Sequence, residues 1–371
     1  MKLVQTSARV FYLENLKVFL TILVILHHTA ITYGGDGGWF YQEVKHTVLP
    51  DSVILTMFAA TNQSFFMGLF FFISGCFVAT SLAKKTAKQF LIDRLIRLGI
   101  PVLLFVFLIY PLTIWIGYYP FTFSSFTTDF PHLLTDIKAE HTGPAWFIAV
   151  LLIFNVIALL FKSSLLKLSQ TKKTITGFHF LLIAFAIGLI SFVTRLVFPD
   201  GFVVLNVQLS YVPQYIFYFF AGVVLSKTGV TKLAESQKIL PWLIPSLVLL
   251  VILTIAVSIL LATEPFRGGT NPYAIFYSFA QGFQSVGFSL VCLILFYRVA
   301  NQSAWWSGYP SRAAYGTFFI HALILVTIAI AIKPLVMAPM LKFLLLGVLG
   351  VPVSFVCGYG LTKLPLGRKV F

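Results

Sequence analysis

Residues 14–33 read ENLKVFLTILVILHHTAITY. Between its ends the stretch is apolar and long enough to cross a bilayer as a helix, which takes about 20 residues. One lysine, Lys17, and two adjacent histidines, His27 and His28, interrupt it. Ionisable side chains are costly inside a membrane and mark function by default. Lys17 and His28 differ by 11 positions. At about 100° per residue this is roughly three turns plus 20°, so both leave one helix face about 16 Å apart along the axis. His27 points about 80° away from that line. Glu14 precedes Lys17 by three residues and can pair with it. A plainer reading also fits: Lys17 snorkels to the headgroups and His28 is a structural hydrogen-bonder.

The rest of the chain repeats the apolar theme. Of 371 residues, 59% are hydrophobic and only 10% charged. A composition this apolar implies an all-α polytopic integral membrane protein, folded as one membrane-embedded domain over 1–371. The formal charge of +15 would suggest a nucleic-acid partner in a soluble protein. Here the positive-inside rule explains it better, so the partner is the lipid bilayer and no nucleic acid is expected. Cys76, Cys292 and Cys357 lie in separate apolar runs without disulfide or metal-ligand spacing, and no metal is expected. No small-residue cleavage site follows the first apolar stretch, which reads as a retained span.

Ten spans are expected, at roughly 16–33, 53–81, 98–119, 144–161, 176–198, 210–226, 239–262, 273–297, 313–332 and 340–362. With the N-terminus inside, 19 Lys and Arg residues fall on inner segments and six on outer ones. That asymmetry favours two cytoplasmic termini; the expected location of this multi-pass protein is a cell membrane, a bacterial plasma or inner membrane. The first outer connection, 34–52, has a Gly-Gly-Asp-Gly-Gly tip. The second, 120–143, carries Asp129, His132, Asp136, Glu140 and His141. Either lines a site for a hydrated acceptor, or is an ordinary solvated loop. No internal repeat is visible, which weakens a transporter built from duplicated halves.

Shorter signals follow in order. Ser74 and Gly75, in FFFISGCFV, are small residues that let helices approach closely. Arg94 and Arg97 are three apart where the third span leaves the inner surface, with Pro101 close behind. Paired guanidinium forks suit a phosphate; orientation by the positive-inside rule is the competing account. Trp146, in TGPAWFIAVLLIF, falls where tryptophan belts line the outer interface. Tyr315 opens YGTFFIHALILV, in which His321 is a lone histidine needing a partner if buried neutral.

Taken together, these motifs resemble the membrane acyltransferase 3 family over about residues 9 to 362. The family's first span carries Arg or Lys, ten residues, then His, as do Lys17 and His28. Its second ends in a Phe-Phe-x-x-Ser-Gly type motif, matched at Phe71, Phe72, Ser74 and Gly75. An Arg-x-x-Arg pair matches Arg94 and Arg97, a Trp-Phe motif Trp146 and Phe147, and a Tyr-x-x-x-x-Ile-His motif Tyr315, Ile320 and His321. Two features depart. Pro144 and Ala145 stand where a histidine often precedes the tryptophan, and Lys17 replaces the commoner Arg, losing bidentate pairing. Many members also carry a soluble hydrolase-like domain after the spans. Here the sequence stops at Phe371, so any such partner enzyme is expected to be a separate protein.

The resemblance implies transfer of an acyl group, acetyl by expectation, from cytoplasmic acyl-CoA to a hydroxyl of an extracytoplasmic carbohydrate or glycan. Acyl-CoA is then a co-substrate, with no bound cofactor. His28 is the expected general base, and Lys17, Arg94 and Arg97 the donor-binding cations. Glu14, Ser74, Gly75, Trp146, Tyr315 and His321 are substrate-contacting or structural. Direct attack and a covalent acyl-histidine both remain open, as does a homo-oligomer. The rival class is a transporter or flippase of a glycan or lipid-linked sugar, built on the same intramembrane polar groups.

Overall fold

A computed structural model of the chain describes residues 11–45, 50–135, 139–170, 177–226, 237–260, 268–302 and 305–371. Asp136 of the second outer connection lies outside these. A chain surrounded by hydrocarbon must satisfy its backbone internally, and helices do so. Among the described residues ten apolar helices result, one for each expected span. They are α1 (Phe11–Thr32), α2 (Pro50–Lys84), α3 (Ala87–Tyr118), α4 (Trp146–Leu160), α5 (Gly177–Val197), α6 (Val212–Leu225), α7 (Leu240–Leu260), α8 (Pro272–Val299), α9 (Trp305–Ile332) and α10 (Pro339–Leu361). Among the described residues nine helices are long and apolar enough to span. The sixth, with the tight turn before it, covers only Leu209–Leu225.

Hydropathy underestimates two helices. α2 runs 35 residues because its polar ends remain helical. α3 starts at Ala87 rather than near 98, at a capping box. The Thr86 hydroxyl accepts from the Gln89 N–H at 3.3 Å, and the Gln89 side chain accepts from the Thr86 N–H at 3.2 Å. The charged first turns then extend outside the apolar window.

α3 is not a uniform α-helix. It widens to π-turns at Leu95–Gly99 and Phe105–Ile109. Each ends just before an X-Pro pair, Ile100-Pro101 and Tyr110-Pro111. A proline ring strikes the carbonyl one turn back and offers no N–H to it. Widening the turn relieves the clash while the helix continues. Arg94 therefore precedes the first π-turn and Arg97 lies within it, and simple α spacing does not describe their relation.

α1 packs against α2, α8, α9 and α10 and lies at the centre of the bundle. Seventy-eight per cent of the apolar window of α2 is buried, and 67% of that of α1, against 11% for the peripheral α7. Without a hydrophobic force between helices in lipid, close approach depends on small residues. A Cβ on Gly75 would stand 2.1 Å from the Phe219 carbonyl oxygen of α6. One on Gly222 would meet the Phe72 oxygen at 2.1 Å, so the contact is reciprocal. α9 and α10 meet in the same way at Gly316 and Gly358.

One end of the bundle is tied by polar contacts. Arg195 at the end of α5 is fully buried. Its Nε donates to Asp200 Oδ1 at 2.9 Å, its Nη1 to Ser191 at 2.6 Å, and its Nη2 to Asp200 and Gln281. Tyr211 and Tyr277 lie within 5.5 and 5.3 Å of the guanidinium. A short hairpin follows, β1 (Val203–Val204) against β2 (Val207–Gln208). Its turn residues Leu205 and Asn206 both have positive φ, the geometry of the tight hairpin turn. The Leu205 carbonyl accepts from the Thr142 hydroxyl at 2.7 Å, anchoring the segment before α4.

Candidate active site

The connection that follows α1 folds back over it. Tyr33 forms a parallel bridge with Val44, and the Glu43 N–H donates to the Thr32 carbonyl at 3.0 Å. Glu43 pairs with the buried ammonium of Lys342 on α10, which also donates to the Lys333 carbonyl at 3.1 Å. Glycines at the loop tip allow the reversal: Gly34 and Gly37 have φ of 110° and 149°. Burial, then the Glu43 carboxylate, raises the Tyr33 phenol above its ordinary range and pushes Tyr41 up to about 12. Both therefore remain hydroxyl donors at neutral pH.

This fold delivers Trp39 onto His28. The two rings stack with centroids 3.8 Å apart and planes 12° apart. His321 reaches the same place from α9, 5.4 Å from His28 and 5.9 Å from Trp39, with nearly parallel rings. His321 is fully buried, and its Nδ1 lies 2.7 Å from the Phe318 carbonyl. A carbonyl only accepts, so Nδ1 carries the proton and Nε2 presents a lone pair. That Nε2, the His28 Nδ1 and the Trp39 Nε1 are all buried without a hydrogen-bond partner. Buried polar atoms are usually satisfied. Three unsatisfied together, on parallel rings, mark a place built for polar contents.

His27 faces another way. Its ring lies 5.0 Å from Phe66 on α2, and it hydrogen-bonds the Ala59 backbone. The helical offset between adjacent residues thus sends one histidine to α2 and the other to the Trp39–His321 group.

A second cluster forms at the opposite end of the helices. The Tyr315 hydroxyl on α9 donates to the Arg97 carbonyl at 2.6 Å. That carbonyl lies four residues before Pro101, which has no N–H to offer it. Arg94 packs over Phe90, 4.9 Å from the ring, with its Nε buried and without a partner. Arg97 is exposed. Lys17 is half-buried on α1, toward this end of the helix from His28, and Glu14 accepts from Ser311 at 3.3 Å.

The remaining motif residues are packed around these clusters. Gly75 is the α2–α6 contact, and Ser74 beside it is half-buried. Trp146 is half-buried. Its ring stacks on Tyr215 at 5.5 Å, and Phe147 contacts Phe71 and Phe318 at 4.6 and 5.4 Å. Phe318 in turn lies 5.7 Å from His321. The Trp-Phe pair is therefore part of an aromatic wall behind the histidines.

A family model described as an acyltransferase domain, that of acyltransferase 3, matches residues 10–359. The chain belongs to the membrane acyltransferase 3 family. The protein is thus an O-acyltransferase embedded in the membrane by apolar helices. No curated protein and no solved structure gives a match.

Two residues of this acyltransferase escaped the motif reading. Trp39 lies in a glycine-rich loop with no periodicity to reveal where its ring goes. His141 was one of several polar loop residues; it is buried and stacks on Tyr110 at 4.1 Å. Tyr110 lies 5.3 Å from Phe40, next to Trp39. Gly143 permits that approach: its φ is +41°, and a Cβ there would stand 2.6 Å from Phe40. His141 thus supports the loop that carries Trp39 and Phe40 from a position five residues ahead of Trp146.

Proposed function

We propose that the protein transfers an acyl group, acetyl in the first instance, from cytoplasmic acyl-CoA to a hydroxyl of an extracytoplasmic carbohydrate. The observation that carries this reading is the position of His28. Its ring lies under the outer-loop Trp39 and beside His321, on the helix whose inner half bears Lys17.

Arg94 and Arg97 hold phosphates of the donor, where guanidinium forks give bidentate contact. Lys17 guides the thioester arm inward along α1. His28 takes the proton of the acceptor hydroxyl as its oxygen attacks the thioester carbonyl. The C–S bond breaks, and the CoA thiolate leaves and takes the proton held by the His28 imidazolium. His321, with its tautomer fixed by the Phe318 carbonyl, accepts a hydrogen bond from a neighbouring hydroxyl of the acceptor and so orients the one that reacts. Trp39 offers the face on which a sugar ring packs and excludes water from the thioester. The positive-inside asymmetry supports placing both termini, and the arginine end, in the cytoplasm.

Purified protein in vesicles with acetyl-labelled acetyl-CoA tests the reading. CoA thiol release that depends on a carbohydrate acceptor, with label recovered on that acceptor, is the expected result. Label recovered only on lipid or protein would refute the carbohydrate assignment. Comparing glycans from cells with and without the protein names the acceptor.

A further inference from the structure

Past α10 the chain turns back beneath the bundle. Thr362 and Lys363 follow the last helical turn, and a short helix, Gly367–Val370, carries Arg368. With Arg312 of α9, Tyr359 of α10 and the Phe371 ring they line a cleft of about 380 Å³. Three of the six lining side chains are cationic, and none of the six is an aspartate or glutamate.

The cleft is held in shape. A Cβ on Gly367 would stand 1.8 Å from the Leu361 carbonyl oxygen, so this close return of the chain needs glycine. The Lys363 ammonium sits 4.4 Å from the centre of the Tyr359 ring. Phe371 packs on Tyr315 and Phe319, with centroids 5.2 and 5.3 Å away. Tyr315 is the residue that binds the Arg97 carbonyl, and the short helix packs on the Leu95–Gly99 turn. Two cationic groups therefore flank Tyr315, one on α3 and one made by α9 and the chain end. Cations gathered around one cleft repel one another, and a bound anion reverses the sign of that interaction.

We propose that this cleft binds the 3′-phosphate of the donor's adenosine, while Arg94 and Arg97 hold the diphosphate. The inference rests on acyl-CoA being the donor. Arg312 and Arg368 supply forked donors for a phosphate dianion, Lys363 a point charge, and Phe371 a ring face for the adenine. An anionic lipid headgroup carries the same phosphoryl chemistry, so the test must separate the two.

The protein is placed in phosphatidylcholine nanodiscs, and binding of CoA is compared with that of dephospho-CoA, which lacks the 3′-phosphate. The parent should prefer CoA about tenfold. Arg312→Gln, Lys363→Gln and Arg368→Gln should each weaken CoA roughly five- to tenfold and leave dephospho-CoA unchanged, which also reports an intact fold. Arg94→Gln should weaken both ligands. An undiminished CoA preference in all three cleft variants overturns the proposal, as does a parent that fails to discriminate. If the variants instead lose only phosphatidylglycerol binding, seen by native mass spectrometry, the cleft is a headgroup site and the nucleotide assignment fails. A parent that binds neither CoA form refutes the donor itself, and this subsite with it.

Discussion

The Tyr315 hydroxyl donates to the main-chain carbonyl of Arg97 at 2.6 Å, joining α9 to the π-turn of α3. The same helix places His321 beside His28. One element thus touches both the arginine end and the histidine group. Tyr315→Phe should cost about 0.5–1.5 kcal/mol of stability. It should raise the donor KM several-fold while leaving kcat near the parent value. Steady-state kinetics at varied acyl-CoA would show this; a fall in kcat with unchanged KM would contradict it.

His28 and His27 should separate cleanly. His28→Ala removes the proposed general base and should reduce transfer by about 10²–10⁴-fold while the protein still accumulates. His27 packs on Phe66 and α2, so His27→Ala should be much milder. Assays at matched membrane levels decide; equal losses would mean that the orientation of α1 does not select the catalytic histidine.

Trp39 shields one face of His28 at 3.8 Å. Trp39→Ala should lower acceptor-dependent transfer about tenfold, in line with the loss of a stacked aromatic contact. It should also raise acceptor-independent thioester hydrolysis, because water then reaches the histidine. Trp39→Phe should retain most transfer. Thiol release with and without acceptor measures both rates. Unchanged hydrolysis in the alanine variant would remove the shielding role.

Arg195 acts on stability. Replacing it by Met leaves the Asp200 carboxylate buried without its partner, which costs about 3–5 kcal/mol. Arg195→Met should melt earlier in detergent and accumulate poorly. Pairing it with Asp200→Asn should recover much of the loss, since the stranded charge is gone. A double variant as unstable as the single one would argue that the Ser191 and Gln281 contacts dominate instead.

Orientation has a direct test. On a background without native cysteines, Asp36→Cys and Lys88→Cys place thiols at exposed positions on opposite ends of the bundle. An impermeant maleimide added to intact cells should label position 36 and spare position 88. The reverse pattern would invert the proposed topology.

The fold class and the ten helices were legible in the sequence because a bilayer imposes length and apolarity on each span separately. Local chemistry was legible too. Gly75 read as a packing residue and is one, and Lys17, His28, Arg94 and Arg97 stood out as charges or imidazoles in apolar runs. Helical phase separated His27 from His28, since within one helix direction follows from residue number. What crosses between elements was not legible. That Trp39 covers His28 depends on a glycine-rich loop folding back and on Glu43 finding Lys342 on α10, about 300 residues away. The stacking of Trp146 on Tyr215 was hidden for the same reason, since α4 and α6 are far apart in sequence. Arg312, Lys363 and Arg368 read as ordinary inner-surface charge until the fold brought them around one cleft. Periodicity encodes which way a side chain leaves its own helix, whereas its partner is decided by packing between segments that no local pattern relates.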